Sequence, residues 1–159
     1  MGKITMIKLF LSVIVCLSAG FIGSLFTRSS LGTWYAQLKK PSFSAPSWVF
    51  APAWTILYIL MGVAAYLIWK KGLDIKKVRI ALCVFILQLV LNTAWSPVFF
   101  GMRSPLAGLV IIILLWFAIV ATMILFFRIS RPAAVLLIPY IAWVSFALTL
   151  NAAIVRLNP

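Results

Sequence analysis

Residues 34–58 read WYAQLKKPSFSAPSWVFAPAWTILY, and no other part of the chain mixes aromatics, prolines and cations so densely. Pro41, Pro46 and Pro52 each remove a backbone donor and restrict the residue before them, so the spacing predicts a shaped loop up to Pro46 and a helix beyond it. Such a loop can serve as a lid. Trp34, Tyr35, Phe43, Trp48, Phe50 and Trp54 offer flat apolar faces with Lys39 and Lys40 beside them, a set suited to a planar aromatic ligand carrying an acid group. The same residues equally suit an interfacial belt whose lysines snorkel to lipid headgroups. Residue types alone do not separate the two readings.

Outward from this stretch the chain is apolar. Of 159 residues, 65% are hydrophobic and only 9% charged, against roughly 25% charge in soluble domains, and the mean hydropathy is +1.20. About 20 apolar residues cross a bilayer as a helix. The apolar runs predict one membrane domain over residues 1–159, an all-α bundle of five transmembrane helices at about 4–26, 48–69, 80–100, 105–127 and 133–155, with a ligand-capping loop at 28–47. The basic start followed by LFLSVIVCLSAG resembles a signal peptide, but the apolar run continues past the small residues, so an uncleaved first span is expected.

A net charge of +13 would suggest nucleic acid in a soluble protein. Here the cations lie between apolar runs, so membrane lipid is the expected partner and nucleic acid is not. Five spans put Lys3, Lys8, Lys70, Lys71, Lys76, Lys77, Arg79, Arg128 and Arg131 on one side, and Arg28, Lys39, Lys40, Arg103 and Arg156 on the other. That excess predicts an N-terminus inside.

The chain has no His, a single acid in Asp74, and two cysteines, Cys16 and Cys83, both in apolar runs and read as small buried hydrophobes without a disulfide. Metal sites and acid–base hydrolysis have no residues to run on, and coupling through an intramembrane carboxylate is equally unprovided. No metal and no tightly bound cofactor are expected.

Polar groups at membrane depth must find partners. Gln88, Asn92 and Ser96 recur every four residues beside Trp95 and Phe99, a ridge that serves either as glue between helices or as a ligand contact. Gly20 and Ser24 have a small-xxx-small spacing, Trp54 and Tyr58 share a helix face, and Trp143, Ala147, Leu150 and Asn151 form a stripe whose alanine leaves a hollow beside the indole. Pro97 and Gly101 are expected to end the third span, and the nearly featureless fourth to pack at an edge or against another subunit.

Four strings in order, WYAQLKKPSF (34–43), PSWVFAPAWTILYILMG (46–62), LNTAWSPVFFG (91–101) and PYIAWVSFALTLNAAIVRLN (139–158), resemble the translocator protein family, also called TspO/MBR, tryptophan-rich sensory protein or peripheral-type benzodiazepine receptor. The resemblance implies a five-helix membrane bundle, a homodimer, and a pocket beneath the first loop. Its ligands would be protoporphyrin IX or haem, hydrophobic drugs of the isoquinoline and benzodiazepine types, and in some members sterols. Carried over, the pocket residues are Ser24, Thr27, Phe50, Ala51, Trp54, Asn92, Trp95, Trp143, Ala147 and Leu150. Trp54 and Trp143 match a pair implicated in light- and oxygen-dependent porphyrin breakdown, the one catalytic role the resemblance suggests. The macrocycle would lie between those two indoles, with Asn92 on a polar edge and a propionate at Lys39 or Lys40. The chain departs from the family at Ala45, where many members have proline, at Ile112, near which many have an acid, and at Ala153, where the sterol motif of animal members needs tyrosine. Two looser sterol patterns surround Tyr35 and Tyr66. The implied protein is a multi-pass tetrapyrrole binder of a bacterial or archaeal cell membrane. Its rivals are a transporter or exporter of amphipathic molecules, against which the lack of an inverted repeat weighs, and a sensory scaffold.

Overall fold

The computed structural model describes residues 2–159, which form seven α-helices: α1 (Lys3–Leu31), α2 (Trp34–Gln37), α3 (Ser47–Trp69), α4 (Lys76–Ser96), α5 (Pro105–Phe127), α6 (Arg131–Val135) and α7 (Ile138–Leu157). A π-helical turn, Pro97–Gly101, continues α4, and α6 leads into α7, so five apolar segments are long enough to cross a membrane. Around the bundle α1 packs on α4, α4 on α5, α5 on α7, and α3 closes the ring through α1, α6 and α7. One end, here called proximal, holds the N-terminus and the α3–α4 turn. The distal end holds residues 32–46 and the C-terminus.

Lipid offers no apolar driving force between helices, so close approach and polar ties must supply it. Gly62 of α3 lets α1 come so near that a Cβ there would lie 2.5 Å from the Cα of Val13. At Gly20 of α1 the Tyr58 ring occupies the space a side chain would take. The interior ties are a chain of side chains crossing three helices. The Tyr58 hydroxyl donates to Asn92 Oδ1, Asn92 Nδ2 to the Tyr140 hydroxyl at 2.8 Å, and that hydroxyl to Gln88 Oε1 at 2.7 Å. On the other side of the ring, Trp116 Nε1 donates to Ser145 Oγ at 2.9 Å, joining α5 to α7.

Several boundaries differ from the sequence expectation. The first helix continues through residues 28–31, assigned above to the loop, and the hydroxyls of Thr27 and Ser29 are satisfied within it by carbonyls three or four residues earlier. Ser30 Oγ also donates across to Phe100 O at 3.0 Å. Pro97 does not end the third span. Lacking an N–H, it starts a wider turn closed by Met102 N to Pro97 O at 2.9 Å, and this re-aims both Phe99 and Phe100 inward, where they are buried. Cys16 is buried, but Cys83 faces outward on α4, and both are free thiols.

The Gly62→Ala variant tests the α1–α3 contact. Its Cβ meets backbone, which cannot rotate away, so unfolding in detergent should show a loss of about 1–3 kcal/mol. An unchanged thermal midpoint would mean the two helices are not held by this contact.

Candidate functional site

A cavity of about 330 Å³ lies inside the distal half of the ring, walled by α1, Tyr35 of α2, α3, α4 with its π turn, and α7, while α5 contributes nothing to it. Along α1 it runs from Leu17 to Leu31, about 21 Å at 1.5 Å per residue, or roughly two-thirds of the hydrocarbon core. Its volume is at the lower end of small-molecule sites. Below it Met61, Ala64 and Ile68 are fully buried and fill the proximal half. Among its lining residues Phe21, Arg28, Ser47, Ala51 and Thr55 are exposed, which sets the mouth along the seam between α1 and α3.

Each wall is positioned by a specific packing arrangement. Trp54 stacks on Tyr58 one turn later, ring centroids 5.6 Å apart, and Tyr58 is pinned by its bond to Asn92 at the floor. Trp95 stacks on Phe99 at 5.2 Å, and its indole N–H donates to Asn151 Oδ1 at 3.2 Å. Asn151 is held in turn by its Nδ2 bond to Pro105 O at 2.8 Å. Thr27 Oγ1 and Ser96 Oγ stand 3.3 Å apart across the α1–α4 seam, and both residues line the cavity. The site is therefore apolar and aromatic, with amide and hydroxyl groups at the floor and one side. Residues 12–157 match the TspO/MBR family.

The chain belongs to the TspO/MBR family. It is 49% identical to the tryptophan-rich protein TspO of Chlorobaculum tepidum over 96% of this chain and 97% of that protein. It is 45% identical to the protein of the same name from Archaeoglobus fulgidus, over 96% and 97%. With the human translocator protein it shares 42% over 87% of this chain and 82% of that one. Family membership and five apolar helices make it a multi-pass membrane protein.

In this TspO/MBR chain the cavity wall brings together Ser24, Thr27, Phe50, Ala51, Trp54, Asn92, Trp95, Ala147 and Leu150. Trp143 is not in the wall. Its ring meets Trp54 edge to face, centroids 6.5 Å apart at 86°, and packs on Phe50 and Phe146, so the two indoles touch and leave no slot for a macrocycle between them. Its buried N–H has no hydrogen-bond partner among the described residues. Lys39 and Lys40 are also absent from the wall. Lys40 Nζ donates to Tyr35 O at 2.8 Å and lies 4.6 Å over that ring, which binds its charge into the loop. Burial pushes the Tyr35 phenol above its usual range, with the Ser44 hydroxyl opposing more weakly. Tyr35 and Tyr66, centres of the loose sterol patterns, are both buried.

Among the wall residues that sequence reasoning did not assign to the pocket are Arg28, Tyr58 and Ser96. The last two were visible as members of the α3 face and the α4 ridge, whereas Arg28 was counted only as a flanking charge.

The loop over the cavity is latched at one point to the end of α7. Lys39 N donates to Asn158 Oδ1 at 3.0 Å, and Asn158 Nδ2 donates to Lys39 O, also at 3.0 Å. In Asn158→Ala, amide exchange at Lys39 and its neighbours should quicken roughly tenfold, as two hydrogen bonds of ordinary strength are lost. Unchanged exchange would show that the loop is held elsewhere.

Proposed function

We propose that this chain binds flat, largely apolar small molecules of the tetrapyrrole class, protoporphyrin IX or haem, in the distal cavity. One observation carries the reading: stacked aromatic pairs, Trp54–Tyr58 and Trp95–Phe99, contribute to the walls of a single preformed hollow floored by hydrogen-bonding groups. Aromatic faces recognise planar π-systems, and a few placed polar groups orient them. A large macrocycle would insert along Trp54 rather than between Trp54 and Trp143, with part of its edge left in the mouth. Hydrophobic drugs with fused rings fit the same description.

If bound porphyrin is broken down by light and oxygen, Trp54 is the indole in contact with it, and Trp143 is coupled to the ligand through Trp54. The protein would then orient and contain a reaction whose chemistry belongs to the ligand. Assembly as a homodimer, through the outward apolar faces, is part of the same proposal, as is residence in a bacterial or archaeal cell membrane.

Quenching of protoporphyrin fluorescence in detergent tests the reading. Trp54→Ala should weaken binding about tenfold or more, through lost stacking and contact area, while Trp143→Phe should change affinity much less and alter photobleaching more. Equal affinity in wild type and Trp54→Ala would remove the ligand from this cavity.

A further inference from the structure

We infer that the Arg28 guanidinium is an acid-binding subsite at the cavity mouth, so that this site selects flat amphiphiles bearing a carboxylate over the same bodies without one. The inference rests on the ligand site proposed above and names its chemical specificity.

Among the described residues Arg28 is the one charged side chain in the cavity wall, and it makes no hydrogen bond or ion pair within the protein. A guanidinium presents five donors in a planar fork that matches a carboxylate. The nearby alternatives are spent or turned away: Lys40 is bonded to Tyr35 O, and Lys39 is exposed outside the wall with its backbone latched to Asn158. The chain's single acidic side chain, Asp74, lies in the α3–α4 turn at the proximal end, so no acidic side chain near the mouth competes for the guanidinium or repels an anion.

A cation in the last turn of α1 also suits the helix dipole and the lipid headgroups, and those effects alone would explain an arginine here. They do not explain why it lines the hollow. Position adds the orientation: Arg28 is toward the distal end of the mouth and the Tyr58–Asn92 pair at the floor, so a flat body lying along Trp54 has its acid edge at the distal end. The Thr27 and Ser96 hydroxyls line the wall on the α1–α4 side, but they are engaged with each other and with Gly23 O, which leaves the guanidinium as the donor group for an acid.

The test compares protoporphyrin IX with its dimethyl ester at neutral pH and low salt, by fluorescence quenching in a non-ionic detergent. Wild type should prefer the acid by about fivefold, the upper range for an exposed charge pair, and the preference should shrink as salt rises. Arg28→Gln should bring the acid down to the affinity of the ester and leave the ester unchanged, Arg28→Lys should keep part of the preference, and Lys39→Gln should keep all of it. Equal binding of both forms by wild type, equal weakening of both by Arg28→Gln, or loss of the preference in Lys39→Gln would each overturn the proposal. Failure of the cavity reading looks different: Trp54→Ala would then leave both forms bound as in wild type. Matching thermal midpoints confirm that the variants are folded.

Discussion

Inside a bilayer a polar side chain has no water to fall back on, and this bundle is built around that constraint. Gln88, Asn92, Tyr58 and Tyr140 come from three helices and can bond one another only if α3, α4 and α7 share one register, although Gln88 Nε2 keeps no partner among the described residues. The apolar surface of these helices would be almost as content in lipid, so it cannot set that register. The chain of hydrogen bonds crosses the ring at mid-depth and divides it into a packed proximal half and a hollow distal one. Tyr58 belongs to both halves. Its hydroxyl is part of the tie, its ring backs Trp54, and its edge fills the space that Gly20 leaves open on α1.

The distal half stays hollow because its walls are braced from behind. Trp95 cannot swing inward while Asn151 holds its indole, and Asn151 is itself anchored to the start of α5. Gly108 of α5 permits this closeness, since a Cβ there would sit 2.7 Å from the Phe99 ring. On the opposite side Phe50, Trp143 and Phe146 form an aromatic cluster behind Trp54. The π turn completes the wall by directing two consecutive phenylalanines into the bundle, which an unbroken α-helix would send about 100° apart.

Much of this was legible in the residues. A polar group every four positions through an otherwise apolar span has to face inward, and Gln88, Asn92 and Ser96 do, with Gln88 in the interior, Asn92 at the floor and Ser96 in the wall. What was not legible depends on contacts between distant segments. Trp143 lies on the right stripe of α7, yet whether an indole borders a hollow or stands behind another indole is decided by α3. The loop lysines have the right charge in the right loop, but a carbonyl five residues earlier takes one of them. Arg28 was read as the end of a span because helix length was judged from hydropathy, and the last turn of α1 is polar. Cys83 was placed inside on apolar context alone, a poor guide where the outside is apolar too.

The position of the mouth, between α1 and α3 rather than on the axis of the bundle, has a consequence for how occupancy is governed. A hydrophobic guest would reach it from within the leaflet, so the concentration that matters is its amount per lipid, not per volume of buffer. Apparent potencies measured in suspension would then combine partitioning with fit, and two compounds of equal fit would rank by their oiliness. Changing the quantity of lipid at constant guest would shift every titration, even though no residue of the protein had changed.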